Sequence, residues 1–176
     1  LEIPERAEMT DLLLLFVFPA LMAYAAMSDM LTMTIPNRVS IALVGGFALV
    51  AILGGVPLPT VAIHVLAGFL VLVMTFGMFA AGWIGGGDAK LAAATALWLG
   101  FGGLLEYAVI SAVAGGVLTV VLLSLRNYPL PAFAASWEWS RRLHNARTGV
   151  PYGLALAFGG LMAYPHSDIW RIAALG

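Results

Sequence analysis

The chain has 176 residues, 62% of them hydrophobic and only 10% charged, with a mean hydropathy of +0.99 and a net charge of -1. A soluble domain usually carries about 25% charged residues, so this composition cannot cover a water-facing surface, and most of the exterior must face lipid. The near-zero charge offers no basic field for nucleic acid, and the absence of cysteine excludes disulfides, a cysteine zinc site and a cysteine nucleophile.

A helix needs about 20 apolar residues to cross the hydrocarbon core. The first candidate span covers residues 11–27. Glu2, Glu5, Glu8 and Asp11 outweigh Arg6 around its start, and no small-residue cleavage site follows. It therefore reads as a retained span rather than a secretory signal. The second span, 39–54, is short, and Pro57 and Pro59 mark the turn to the third, 60–83. Residues 91–125 form an apolar stretch of 35 residues whose one charge is Glu106. That is too long for one span and enough for two, 91–104 and 106–125, with Gly100, Gly102 and Gly103 offering a place to turn. The last span covers 150–166. The expected class is an all-α, polytopic membrane protein of about six helices, forming a single domain over 1–176.

Charge asymmetry tests the count. With six spans and the N-terminus outside, Arg38, Lys90, Arg126, Arg141, Arg142 and Arg147 fall on the cytoplasmic side, and Arg6 and Arg171 fall outside. Treating 91–125 as one span moves Arg126 and everything after it across the membrane and weakens the bias to five against three. The positive-inside rule favours six spans. The one substantial loop, 127–148, begins with Pro129 and Pro131 and then mixes Trp137 and Trp139 with arginines. Two readings stand side by side: a short helix at headgroup depth or a solvated loop.

Seven of the nine acidic residues have a route to water: Glu2, Glu5, Glu8, Asp11, Glu106, Glu138 and Asp168. Asp29 and Asp88 remain. Asp29 follows the first span in S-D-M-L-T-M-T-I-P-N, and Asp88 follows the third in G-G-G-D-A-K. The span count puts both at the cytoplasmic ends of their helices, at one depth. An ionisable group near the bilayer core is costly and points to function; the plainer reading of each is a polar residue ending a span.

Two carboxylates brought close share a proton. The ionised one can take a proton from water, and the protonated one can polarise a carbonyl and later protonate a leaving amine. Such chemistry uses no metal, cofactor or covalent intermediate. His64, His144 and His166 show no metal-ligand spacing, so neither a metal nor a cofactor is expected. His64 reads as a packed or interfacial histidine far from the aspartates. Gly85, Gly86 and Gly87 either permit close backbone approach before Asp88 or simply end a helix. Lys90 either favours an ionised Asp88 or snorkels to the interface. A proton-coupled transporter would place its acids near the midplane of the spans; these sit at one face, which favours a protease.

The segment G-G-G-D-A-K-L, Gly85 to Leu91, resembles the GxGD-containing signature of the type IV prepilin peptidases. S-D-M-L-T-M-T-I-P-N, Ser28 to Asn37, resembles that family's other catalytic element, an Asp at a span end followed by I-P-N. V-P-Y-G, Val150 to Gly153, resembles the P-Y-G-type opening of a late span. GxGD alone is shared with presenilin-like and signal-peptide-peptidase-like proteases; the three matches together, in order, cover residues 11–165. The resemblance implies an inner-membrane aspartyl endopeptidase. It would remove a short basic leader from a prepilin at the cytoplasmic face, just before the pilin's hydrophobic N-terminal helix. Asp29 and Asp88 would be the catalytic pair. Gly85, Gly86, Gly87, Lys90, Pro36 and Asn37 would shape the loops around them, with Asn37 as an alternative helix cap, and Pro151, Tyr152 and Gly153 would lie near substrate. The implied partners are the prepilin and the lipid bilayer, not nucleic acid.

Larger members carry a cytoplasmic domain, often with paired cysteines, associated with methylating the new pilin N-terminus. Here residues 30–38 alone separate Asp29 from the next span, and cysteine is absent. The resemblance is therefore to the short form found with tight-adherence (Flp-type) pili, with the short archaeal preflagellin peptidases as the alternative.

Overall fold

The computed structural model describes residues 3–175, with side chains from Phe16 to Arg171. It consists of seven helices joined by short connections, with no strand among the described residues. In chain order these are α1 (Ile3–Thr32), α2 (Asn37–Leu53), α3 (Leu58–Ala80), α4 (Gly86–Leu125), α5 (Glu138–His144), α6 (Tyr152–Ala163) and α7 (Asp168–Leu175). Single 3-10 turns occupy Ala134–Ser136 and Tyr164–His166. Helices α3 and α4 are long and apolar enough to cross a membrane, and the shorter α2 and the Phe16–Thr32 part of α1 are also apolar. Phe69, Val73 and Phe76 of α3 are each more than half exposed, a surface that only lipid covers well. The protein is an all-α membrane protein.

Helices α1 and α4 overrun the expected spans at their polar ends, whereas α3 stops at Ala80 and α6 covers only Tyr152–Ala163 of the expected 60–83 and 150–166. α1 continues to Thr32, so Asp29 lies inside its last turn rather than after it. α4 starts at Gly86 and takes in Asp88. Hydropathy marks where lipid ends, whereas the backbone hydrogen-bond ladder continues until something breaks it.

The stretch 86–125 is broken at Gly100, where φ is 62° and ψ is -176°. Only glycine enters that region readily, and a Cβ there would lie 2.8 Å from the His64 ring. A break of this kind deprives carbonyls in the preceding turn of their helical partners. His64, buried at 1% exposure, supplies one: its Nδ1 lies 2.9 Å from the Leu97 carbonyl. A carbonyl only accepts, so Nδ1 carries the proton. The ring stacks on Phe47. This is a packed histidine with a structural job.

The central segment 91–100 is buried throughout. Helices α3, α6 and α2 pack around α4, and α1 packs on α6 and α2. Trp98 is fully buried among Phe18, Phe47 and Tyr164, and its indole N–H donates to the Leu43 carbonyl at 2.9 Å. That bond removes the cost of burying a polar group with the ring. This core fixes the relative positions of α1, α4 and α6, whose polar ends carry the features described next.

Candidate active site

Asp29 sits one turn before α1 stops and is 6% exposed. The helix ends at Met33, which has a φ of 57° in the left-handed conformation usual after a helix C-terminus but uncommon for a residue with a side chain. Its N–H still donates to the Asp29 carbonyl at 2.7 Å. The Thr32 hydroxyl donates to the Ser28 carbonyl, and the Ser28 hydroxyl donates to the Thr34 carbonyl at 2.9 Å. These bonds hold the turn that sends Ile35 back into the bundle, where it is buried. Pro36 follows in extended conformation as the N-cap of α2. Asn37 is the first residue of that helix rather than its cap, and no side chain caps the helix.

Asp88 arrives from the other side. Gly85 is the N-cap of α4, which puts Asp88 at the third helical position. From there its carboxylate lies beside the Gly85 backbone, in the place of the acidic member of a capping box. The glycines have separate reasons. A Cβ on Gly85 would lie 2.9 Å from Asp88 Oδ2, one on Gly86 would lie 3.2 Å from the Phe79 ring, and one on Gly87 would lie 3.1 Å from Ile35 Cβ. Lys90 donates from Nζ to Asn37 Oδ1 at 2.9 Å, tying α4 to the start of α2 instead of pairing with Asp88.

The third contribution comes from α6. Pro151 is its N-cap and is buried, and Tyr152 packs on Gly115 of α4. The Gly153 N–H donates to Asp29 Oδ2 at 2.7 Å. A backbone amide at a helix N-terminus is free to do this, and the dipole there favours a carboxylate. A Cβ on Gly153 would lie 2.7 Å from Ile35 Cδ1 and 2.8 Å from Asp29 Oδ2.

Asp29 and Asp88 are therefore brought near enough for the charge of Asp29 to act on Asp88. Ile35 lies between them, touching the Gly87 and Gly153 backbones. Asp29 is closed off by these contacts, while Asp88 stays partly open to solvent. Pattern reading singled out neither Ile35 nor Met33, and it placed Gly153 beside substrate rather than on Asp29. Among the described residues, no group of three or more His, Cys, Asp or Glu side chains could hold a metal.

The sequence model of the type IV leader peptidase family matches residues 16–120, a range that includes both aspartates. The chain belongs to the type IV leader peptidase family. Curated members from Aeromonas salmonicida and Aeromonas hydrophila, both called prepilin leader peptidase/N-methyltransferase, are each 30% identical to it over 170 residues. The match takes in 94% of this chain and 52% of each relative, so the chain spans about half their length. No solved structure matches.

Proposed function

We propose that this protein is an aspartyl endopeptidase that removes the leader from type IV prepilins at the cytoplasmic face of the inner membrane, with its N-terminus outside. The observation that carries this reading is the convergence of Asp29 and Asp88, from the ends of α1 and α4, on either side of Ile35. The family match supports the leader-peptidase half of the relatives' double name. The short connection after Asp29 supports a Flp-type prepilin as substrate.

In this mechanism the ionised aspartate takes a proton from water as the water oxygen bonds to the scissile carbonyl carbon. The protonated aspartate gives its proton to the carbonyl oxygen. The tetrahedral diol then collapses: the now-ionised aspartate takes a proton from one hydroxyl as the C=O re-forms, the C–N bond breaks, and the other aspartate gives the amine its proton, which restores the pair. The Gly153 amide fixes one oxygen of Asp29, so the other is available for this transfer.

The test is co-expression with a Flp-type prepilin, following leader removal on a gel. Asp29→Asn and Asp88→Asn should each abolish cleavage while the protein stays at normal levels in the membrane. Processing by either variant at the parental rate would defeat the two-aspartate mechanism.

A further inference from the structure

We propose that Arg126 is a positioning residue for Asp29, acting through the loop that carries Gly153. The inference rests on the reading of Asp29 as catalytic. By sequence, Arg126 is one more basic residue at a span end. In the structure its guanidinium is half-buried and spent on backbone: Nε donates to the Leu143 carbonyl at 2.8 Å, and Nη2 donates to the Thr148 and Gly149 carbonyls at 3.2 and 2.9 Å. Gly149 lies four residues before Gly153, whose amide holds Asp29.

The same loop is tied to the other side of the site. Arg142 of α5 donates from Nη1 to the Leu31 carbonyl, two residues past Asp29, at 3.2 Å and pairs with Glu138 at 2.8 Å. The Thr148 hydroxyl donates to the Arg142 and Asn145 carbonyls. The loop thus joins the end of α1 to the start of α6, and Arg126 anchors it to the end of α4. The start of α6 is closely packed, Tyr152 on Gly115 and Gly153 on Ile35, so a small shift passed along the loop from Gly149 changes the Gly153–Asp29 bond directly. A planar guanidinium can reach three carbonyls from one fixed plane; an ammonium cannot.

That difference separates the proposal from a role in membrane topology alone. Arg126→Lys keeps the positive charge that orients the span and loses the fork. With the purified full-length protein in detergent, Arg126→Lys should lower kcat about tenfold or more, since a displacement near 1 Å at a reacting group has effects of that size. KM for the prepilin should change less than kcat, because the bond that is loosened orders Asp29. In a double-mutant cycle, Arg126→Lys should add little to the loss caused by Gly153→Ala, because both act on one hydrogen bond. If Arg126→Lys does not accumulate, Thr148→Val loosens the same loop and should give the same kcat loss. A parental kcat, a loss confined to KM, or fully additive losses would overturn the proposal. Retained cleavage by Asp29→Asn, by contrast, would defeat the reading beneath it.

Discussion

Gly153→Ala is the sharpest single probe of how Asp29 is held. The added methyl would start 2.7 Å from Ile35 Cδ1, 2.8 Å from Asp29 Oδ2 and 3.0 Å from Asp29 Cβ. Ile35 is buried and also lies against Gly87, so the clash is relieved by moving α6, which stretches or breaks the 2.7 Å amide-to-carboxylate bond. A hydrogen bond to a charged group contributes about 1.5–3 kcal/mol. If that contribution is made in the transition state, its loss lowers kcat/KM about 10- to 150-fold, at 1.36 kcal/mol per factor of ten. The assay is prepilin cleavage by purified enzyme, with thermal unfolding measured in the same detergent. Gly45→Ala is the control: it lies in α2, and a Cβ there meets nothing within 4 Å. It should cleave normally. A Gly153→Ala enzyme within about twofold of the parent would refute the idea that this amide orders Asp29.

Two further outcomes concern the bundle. Gly100→Ala forces a side chain into a backbone region reserved for glycine, at about 1–3 kcal/mol, and drives it against His64; the protein should unfold at a lower temperature, and an unchanged midpoint would mean the break is not needed. The hydroxyls of Tyr107 and Ser111 are buried beside one another, with Thr95 next to them. Removing both with Tyr107→Phe and Ser111→Ala should leave thermal stability unchanged or raise it, since replacing both members of a buried polar pair by apolar groups is nearly neutral. A marked fall in the unfolding temperature would show that the two hydroxyls are bonded in the membrane.

Much of the fold could be read from hydropathy because lipid imposes it: apolar stretches of sufficient length become helices whose backbones satisfy themselves. The aspartates stood out for a related reason, as charges at span ends with no evident use. What could not be read was how the ends are joined. Asn37 has the composition of a helix cap, yet it is already the first helical residue and accepts from Lys90. Lys90 is two residues from Asp88, but as the fifth residue of α4 it turns away from Asp88 and reaches Asn37 at the start of α2. Met33 gives no sign of its positive φ, because methionine has no preference for that conformation. Arg126, Arg141 and Arg142 look alike in a charge count, and only the folded loop shows that Arg126 and Arg142 are bound to carbonyls.

The glycines show why the site needed three elements rather than two. Ile35 touches the Gly87 backbone on one side and the Gly153 backbone on the other. A side chain at either glycine would push α4 or α6 outward by the width of a methyl group, and the two aspartates would separate. In water such a gap could fill with solvent and still leave the backbone satisfied. At the buried start of α6 the Gly153 N–H donates to Asp29 in place of water. Asp88 closes the start of α4 through Gly85, and Asp29 closes the start of α6 through Gly153. Each aspartate is thus a helix cap as well as a candidate acid. The capping bond supports the catalytic reading more than it competes with it: at Asp29 it holds one oxygen and leaves the other for a proton.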